Sequence, residues 1–464
     1  MLLSTVCILA LLAPLISAQN TTLKKTLTGH IDPSQVFTFV YAPFEVPPST
    51  TSITVLQTYS HKNNGNALDL GLFDQRGLSL SASRGWSGGF RNNFTITPSW
   101  ATPGYNPGPI EPGIWNVVLG PYTSVPEGID WTLDIEMGFD SVHEYFALEP
   151  ASVDLDPVCN GLCTEDEQGR GHWLRGDFHI HTIYSDGRYT PEEQIAIAVR
   201  QGLDFIFFSD HNTDSSNNVM GTFQAQAPDL LIGRGIEVTT RAGHWQALGL
   251  DPGQLVEWRY QDPENYTAAA NDVHRRGGLV SINHPFAACS ACNWVLDTWS
   301  ANDAIEVWNA EWDGTDAAAR LAFPACVNGV PTTVVRSRGR SQVAIVEGVK
   351  AGRAYIVRGP GMEIEFRVRL PSQSGLRTVE TGDKVKASAV GATAVVQAKG
   401  FEGRTKICFV TERGYVYNAT LRGDGDGEVK RLVPGGSRFL RVEVRNATGD
   451  GDEMLGLTNP VWFL

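Results

Sequence analysis

Residues 176–187 read G-D-F-H-I-H-T-I-Y-S-D-G, and a second polar cluster, S-D-H-N, follows at 209–212. The sequence of 464 residues contains ten histidines, and three of them lie in these two short stretches. On a strand, the side chains of His179 and His181 leave the same face about 6.5 Å apart. Two imidazoles placed in this way can converge on one cation, so the first stretch predicts a metal site at the end of a strand.

Further nitrogen and carboxylate groups recur where other strands are predicted to end: Asp186, Asp210, His211, Glu237, His244 and His284. The carboxyl ends of strands are where α/β proteins build their active sites. A single histidine at a strand end is usually structural, but histidines that recur at successive strand ends beside carboxylates favour metal binding. Such a set suits two or three divalent ions of zinc, manganese or iron, and a glutamate can bridge two of them.

The pattern of hydrophobic residues divides the chain into three segments. Residues 19–150 contain short strand patterns broken by Pro/Gly clusters, which predict an N-terminal β-sandwich or jelly roll. Residues 165–358 alternate strand and helix patterns, which predict a parallel sheet in a barrel or a doubly wound fold. Residues 359–464 return to strands and predict a C-terminal β-sandwich. The predicted fold class is therefore multidomain, α/β plus β.

Within the middle segment, the start of one helix is sharply defined. Thr190 is a predicted N-cap, Pro191 fits the first helical position, and Glu193 can reach back to complete a capping box. Gly202 ends the helical pattern, and the stretch LDFIFFSDH that follows reads as a buried strand. A second helix is predicted in YTAAANDVHRRGG, before the strand pattern GLVSINH.

The beginning of the sequence predicts secretion. Residues 1–18 form an apolar run that ends in small residues, as in a signal peptide cleaved after Ala18. No later window approaches the ~18 apolar residues needed to span a bilayer. N-x-S/T sequons spread over the chain are consistent with a glycosylated, extracellular protein and lie at Asn20, Asn93, Asn265, Asn418 and Asn446.

Charge and cysteine content narrow the class of protein further. The formal net charge of −14, with no long basic run, argues against binding to a nucleic-acid backbone. Six cysteines follow the predicted signal peptide, an even number compatible with disulfides. A Cys159–Cys163 bridge is favoured locally. The C-x-x-C pair Cys289 and Cys292 is a disulfide or two unlinked thiols rather than half of a zinc site.

The ordered motifs H-x-H-T-x-x-S-D-G, T-P-E-E, S-D-H-N, G-I-E-V-T, G-H, N-H-P and I-E-V-W-N closely resemble the PHP (polymerase and histidinol phosphatase) domain, particularly its carbaryl-hydrolase-like branch. The match covers residues 175–310, and residues 329–355 look like the end of the same domain. The resemblance implies a distorted, TIM-like (β/α)7 barrel. It also implies that two or three divalent ions hydrolyse a small-molecule phosphate ester, or in some members another ester, by attack of a metal-bound hydroxide.

Carried over residue by residue, the resemblance assigns the ligands. His179 and His181 would bind the first ion, and Glu237 would bridge to a second, whose other ligands would be His244 and His284. Asp186 and His211 would hold a third ion. The neighbouring carboxylate that orients His211 would be Asp210. Asp210 and Arg241 are the predicted catalytic residues, and the predicted substrate contacts are Arg188, Arg241 and Asn283.

The sequence departs from the family pattern near its end. The family's S-D-x-H element, which supplies an aspartate and a histidine ligand, has no counterpart between Arg320 and Gly329. Three explanations stay open: a lost or misplaced exon, a shortened form with a weakened site, or a non-catalytic binding protein. We expect a secreted metal-dependent hydrolase, and the alternatives are an extracellular glycoprotein that only binds, or an esterase or carbamate hydrolase.

Overall fold

The computed structural model describes residues 22–155, 171–287, 291–309, 330–373, 375–421, 425–447 and 453–464. Strands dominate this part of the chain, and its α-helices are α1 (Pro191–Arg200), α2 (Gly221–Gln224), α3 (Pro263–Arg275) and α4 (Gln342–Lys350). No helix in the described ranges is long and apolar enough to cross a membrane. The following predicted features lie outside the described residues: the signal peptide, Asn20, Cys159, Cys163, Cys289 and the tract from Arg320 to Gly329.

Two antiparallel four-stranded sheets form the N-terminal domain, with strand orders β1-β8-β3-β6 and β2-β7-β4-β5. Their apolar side chains alternate along each strand and pack between the sheets, with Trp115, Phe44 and Phe94 fully buried in the core. The strands are β1 (Leu23–Ile31), β2 (Val40–Val46), β3 (Ser52–Tyr59), β4 (Ala67–Phe73), β5 (Ser83–Gly88), β6 (Asn93–Ile96), β7 (Gly113–Thr123) and β8 (Ile129–Gly138).

The central domain is a mixed sheet in the order β14-β13-β12-β11-β10-β9-β15-β16. Strands β9, β10 and β11 run parallel to one another, whereas β12 is antiparallel to both of its neighbours. The strands are β9 (His172–Ile180), β10 (Phe205–Phe208), β11 (Leu231–Thr240), β12 (Gly243–Leu248), β13 (Leu279–Ile282), β14 (Ala304–Ile305), β15 (Thr332–Ser337) and β16 (Ala354–Val357).

A closed (β/α)7 barrel is not observed, because the strands of the described ranges follow an open path from β14 to β16. The alternation of strand and helix also breaks after β11. Thr240 pairs with Gly243 in the β11–β12 hairpin, so only two residues connect these strands and no crossover helix fits between them. The prediction of a parallel sheet is therefore wrong for β12, and also for β15, which is antiparallel to β9 and β16.

Local sequence signals in this domain are confirmed. Thr190 caps α1 through the backbone N–H of Glu193, and the Glu193 carboxylate accepts from the backbone N–H of Thr190, which completes the capping box. Pro191 is the first helical residue, and Gly202 takes a positive φ of 67° just beyond the helix. The buried side chains of α1 include Ile195 and Ala198, which pack on the strands.

The C-terminal residues form a second sandwich around Val396, Phe409 and Val444. One of its sheets has the order β18-β17-β20-β23, and the other continues the central sheet, since β16 pairs with β25. The strands are β17 (Glu363–Ser372), β18 (Gly375–Glu380), β19 (Lys384–Val385), β20 (Thr393–Lys399), β21 (Thr405–Thr411), β22 (Gly414–Thr420), β23 (Gly427–Leu432), β24 (Phe439–Asn446), β25 (Met454–Thr458) and β26 (Val461–Phe463).

The N-terminal sandwich and the central domain share one hydrophobic core. Trp86 of the sandwich meets Trp258 edge to face, with ring centroids 5.6 Å apart. Phe73 and Val118 of the sandwich belong to the same buried cluster as Trp245 of β12. Burial of such large rings between the two domains stabilises their association.

The sequons and cysteines of the described ranges occupy different environments. Asn93, Asn265 and Asn418 are exposed, whereas Asn446 is half-buried at the end of β24. Cys292 is disulfide-bonded. A disulfide was one of the two alternatives that the sequence left open for the cysteines of the C-x-x-C pair.

Candidate metal centre

Glu237 lies at the centre of the cluster, with its side chain completely buried. Imidazole nitrogens approach its Oε2 from His179 at 3.1 Å, His181 at 2.9 Å and His211 at 3.3 Å. On the other side, Oε1 lies 3.3 Å from Nδ1 of His244 and 3.1 Å from Nε2 of His284. One carboxylate is therefore shared by all five of the predicted histidine ligands.

The strands explain why these side chains meet. His179 is in β9 and His181 follows its last residue, so both reach the same end of the sheet. A parallel bridge between His211 and Glu237 continues the β10–β11 register three residues beyond its last pair, Phe208 with Arg234. The β11–β12 hairpin places His244 opposite Thr239, two residues beyond Glu237 on the neighbouring strand.

His284 enters the cluster from the end of β13 and has an unusual backbone. Its φ is +23°, a conformation that residues other than glycine adopt rarely and at an energetic cost. Its backbone N–H donates to Oε2 of Glu306 at 2.8 Å. Strained residues of this kind are typical of functional sites, where the surrounding contacts fix the geometry.

Asp186 forms the outer side of the cluster. Its Oδ1 lies 2.8 Å from Nδ1 of His181, and its Oδ2 lies 3.5 Å from Nε2 of His211. Asp186 is about one-third exposed, so this side of the cluster faces solvent.

Glu306 and Asn309 also belong to the site, although the sequence analysis gave them no role. Oε1 of Glu306 lies 2.9 Å from Nδ1 of His179 and accepts from Nδ2 of Asn309 at 2.9 Å. Both residues are in the motif I-E-V-W-N, which follows strand β14. Their position at a strand end is the signal that could have identified them, since the same rule found the histidines.

Three groups of side chains are arranged so that each could hold a metal ion. Within each group the ligand atoms lie within 4.8 Å of one another; the groups are His179/Glu237/His284, His181/Asp186/His211 and His211/Glu237/His244. Glu237 belongs to two groups, and its two carboxylate oxygens could ligate neighbouring ions, whereas His211 could serve one group or the other.

Buried atoms without hydrogen bonds show that a metal fits here. Both ring nitrogens of His244 and Oε2 of Glu237 are buried and have no hydrogen-bond partner. Nitrogens of His179, His181 and His211 lie within ion-pair distance of that oxygen without forming a hydrogen bond to it. Such atoms are costly to bury unpaired, and a cation bound among them would satisfy the nitrogen and oxygen lone pairs together.

The ionisation of the cluster follows from its burial and its opposite charges. Burial opposes the charged form of Glu237, but His179 and His211 hold the pKa of this carboxyl well below its ordinary value. Burial also opposes protonation of His181, yet Asp186 and Glu237 raise its pKa to about 10. Burial dominates at His244 and lowers its pKa to about 4. Without metal, the ionised carboxylate of Glu237 therefore lies beside the protonated imidazole of His181, while His244 stays neutral.

The residues predicted to act beside the ions lie in different places. Asp210 is fully buried and accepts from the backbone N–H of Thr182 at 2.8 Å and from the hydroxyl of Ser185 at 2.7 Å. It holds the loop that carries Asp186, and the contacts described for it do not include His211. Nδ1 of His211 instead contacts the Thr239 hydroxyl.

Arg241 points into the N-terminal sandwich. Its guanidinium forms a buried ion pair with Asp69 at 2.7 Å and lies over the rings of Phe37, Phe39 and Tyr122. These contacts join the two domains and none of them reaches the histidine cluster. A desolvated charge needs a partner of this kind, and the sequence could not show one 172 positions away.

The other two predicted substrate contacts also differ. Asn283 is fully buried and donates from Nδ2 to Oε1 of Glu237 at 2.9 Å, so it holds the central carboxylate. Arg188 is exposed in the loop between β9 and α1. Its contact with a substrate stays a prediction.

A cavity of about 600 Å³ extends from the cluster towards the C-terminal sandwich. His179, Asn283 and Glu306 line its polar end. Leu248, Leu279, Trp299, Trp308 and Leu457 are among the apolar residues along its length. A volume of this size accommodates a small organic molecule.

No family model matches the chain, and no curated protein matches it. Among solved structures, the chain is similar to a two-domain protein from Bacteroides vulgatus that contains a predicted PHP-like metal-dependent phosphoesterase. The identity is 17% and the TM-score 0.35, over 69% of this chain and all of the other. A proposed metal-dependent phosphoesterase from Bifidobacterium adolescentis is 17% identical with a TM-score of 0.21, over 28% of this chain and 76% of the other. Both likenesses are weak, so the interpretation of the site rests on its own residues.

Proposed function

We propose that this protein is a metal-dependent hydrolase of the PHP phosphoesterase type, acting on a small-molecule phosphate ester. The observation that carries the proposal is the buried carboxylate of Glu237, which five imidazole nitrogens approach within 2.9–3.3 Å. A purely structural site would pair such groups by hydrogen bonds, whereas several of these atoms have none. Divalent zinc, manganese or iron bound there would supply Lewis acidity and an activated water.

The residues of the chain would divide the work. Glu237 and the five histidines would hold two or three ions, with Asp186 on the solvent side. Glu306 would orient His179, since a carboxylate on the second ring nitrogen fixes the tautomer of a ligating imidazole. Asn283 would hold Glu237 in place by its amide hydrogen bond. Arg188, exposed at the rim, would contact an anionic substrate.

The experiment is hydrolysis of p-nitrophenyl phosphate and bis(p-nitrophenyl) phosphate by the full chain, purified without chelator. We expect activity that a chelator removes and that Mn²⁺ or Zn²⁺ restores. His179→Ala/His181→Ala should abolish it. A matched control is His274→Ala. His274 lies on α3, outside the cluster, and pairs with Asp303 at 2.9 Å. Chelator-resistant activity, or an unaffected double variant, would contradict the proposal.

The cavity favours a second candidate, an esterase or carbamate hydrolase for uncharged substrates. Its apolar walls would accept a bulky aryl or alkyl group while the ester linkage lies beside the ions. p-Nitrophenyl acetate and an aryl carbamate in the same assay distinguish the two activities. Metal binding without turnover of any of these substrates would favour the non-catalytic binding protein.

We also propose that the protein is secreted and glycosylated and that it does not bind nucleic-acid backbones. The exposed sequons Asn93, Asn265 and Asn418 support glycosylation, and the net charge of −14 opposes nucleic-acid binding. Recovery from the medium of a eukaryotic host, followed by a mass decrease on endoglycosidase treatment, tests the first part. A product retained in the cells without glycans would contradict it.

A further inference from the structure

Two loops of the central domain carry or follow ligands on the solvent side of the cluster. The first ligand loop, residues 182–189, joins β9 to α1 and contains Asp186. The second ligand loop, residues 212–218, begins directly after His211. Asp186 lies in the first loop, and His181 and His211 directly precede the first and second loops; these three residues form one of the groups that could hold an ion.

The N-terminal sandwich contacts the first ligand loop through its backbone. Arg91 donates from its guanidinium to the carbonyl oxygen of Ile183. Gly104 has a positive φ of 96°, and a Cβ added to it would lie 2.8 Å from the carbonyl oxygen of Tyr184. A side chain at position 104 would therefore push directly against this loop, which only glycine allows to come so close.

The same segment of the sandwich contacts the second ligand loop. The hydroxyl of Thr213 donates to the carbonyl oxygen of Gly104 at 3.0 Å. Nδ2 of Asn106 donates to Oδ1 of Asp214 at 2.7 Å, and Nδ2 of Asn218 donates to Oδ1 of Asn106 at 3.2 Å. Thr213, Asp214 and Asn218 are buried, so these bonds are shielded from water.

Within the central domain, Asp210 fixes the start of the first loop through Thr182 and Ser185. Gly104 of the sandwich lies against the carbonyl oxygen of Tyr184, next to Ser185. Asp186, the following residue, is therefore positioned by contacts from two domains.

We infer that the N-terminal sandwich is part of the metal centre: Gly104 and Asn106 are positioning residues that set the separation of Asp186 and His211. This inference rests on the proposed function, because it assigns those contacts to the ion held by His181, Asp186 and His211. The metal chemistry then requires the sandwich for more than stability.

Other contacts between the two domains offer a matched control. Arg259 donates to the hydroxyl of Tyr41 at 3.0 Å, and this bond involves neither ligand loop. Tyr41→Phe removes one interdomain hydrogen bond and leaves both loops untouched. Asn106→Ala also removes interdomain hydrogen bonds, but at the loops, and Gly104→Ala adds one methyl group against Tyr184.

The experiment compares these variants of the full chain by Zn²⁺ content and by hydrogen exchange. We expect Asn106→Ala and Gly104→Ala to bind one Zn²⁺ fewer than the wild type, or to bind it ten- to one-hundred-fold more weakly, the order seen when groups that orient metal ligands are removed. The Zn²⁺ content of Tyr41→Phe should equal that of the wild type. In metal-free protein, amides 183–187 should exchange faster only in the two loop variants.

Each outcome decides between the proposals. Full Zn²⁺ content and unchanged exchange of amides 183–187 in the loop variants would overturn the inference, even if their unfolding temperature falls as in Tyr41→Phe. A wild type without Zn²⁺ would refute the proposed function. The exchange comparison then still tests whether the sandwich positions the loop. Should Gly104→Ala fail to fold, Asn106→Ala carries the comparison alone.

Discussion

Replacing Glu237 by glutamine should remove most of the metal from this protein. Glutamine keeps the size of the side chain and its oxygen but loses the negative charge that the histidines surround. Of the three groups that could hold an ion, two contain Glu237 and one, His181/Asp186/His211, does not. We therefore expect E237Q to lose two of every three equivalents bound by the wild type, rather than a uniform fraction.

The assay is elemental analysis of wild type and variant, both dialysed against the same metal-buffered solution. Phosphatase activity should fall by at least ~10²-fold, the order observed when one group that stabilises developing charge is removed. Glu443→Gln is a matched control, because Glu443 is also a buried carboxylate but pairs with Arg441 at 2.6 Å and Arg445 at 2.7 Å, without histidines. If E237Q bound as much metal as the wild type, the prediction that Glu237 serves two of the ion-binding groups would be refuted.

Three further outcomes are expected. Burial opposes protonation of His181, but the neighbouring carboxylates raise its pKa to about 10. In metal-free protein, protonated His181 therefore adds stability below its ordinary pKa of 6.5, and this stability is lost as the pH rises towards 10. Denaturant melts across that range, with and without chelator, test this pH dependence, which bound metal should abolish because it displaces the proton. Glu306→Ala should weaken metal binding ~10- to 100-fold by releasing His179, as measured by Zn²⁺ titration, while far-ultraviolet circular dichroism stays unchanged. Gly176→Ala places a methyl group 2.4 Å from the ring of Phe205 and should lower the free energy of unfolding by ~1–3 kcal/mol; an unaltered urea midpoint would contradict that packing.

Local rules made the histidine cluster visible in the sequence. His179 and His181 share a face of one strand, and Glu237 and His284 follow apolar runs. The two-residue alternation of side chains on a strand and the positions of the strand ends were therefore enough to group these residues. The helix at Thr190 was equally legible, because a capping box involves only neighbours in the sequence. Such features need no knowledge of how distant segments pack.

Other features depended on contacts between distant segments. The predicted catalytic role of Arg241 overlooked its ion pair with Asp69, which belongs to a different domain. Glu306 received no role although its motif I-E-V-W-N was identified, because its contact with His179 joins positions 127 residues apart. The turn after Thr240 was not recognised as a hairpin, so the antiparallel direction of β12 was not predicted.

The hydrophobic core shared by the N-terminal sandwich and the central domain bears on how the chain can be divided. Separation of the two would expose Trp86, Trp258 and the rings around Arg241 to water at once. The central domain expressed alone would then expose a large apolar surface and would tend to aggregate. The boundary near residue 150 therefore divides the sequence, but the two domains cannot be separated there without exposing their shared core. In any natural or engineered protein that lacks the sandwich, another subunit would have to cover this apolar surface, or polar residues would have to replace its apolar ones.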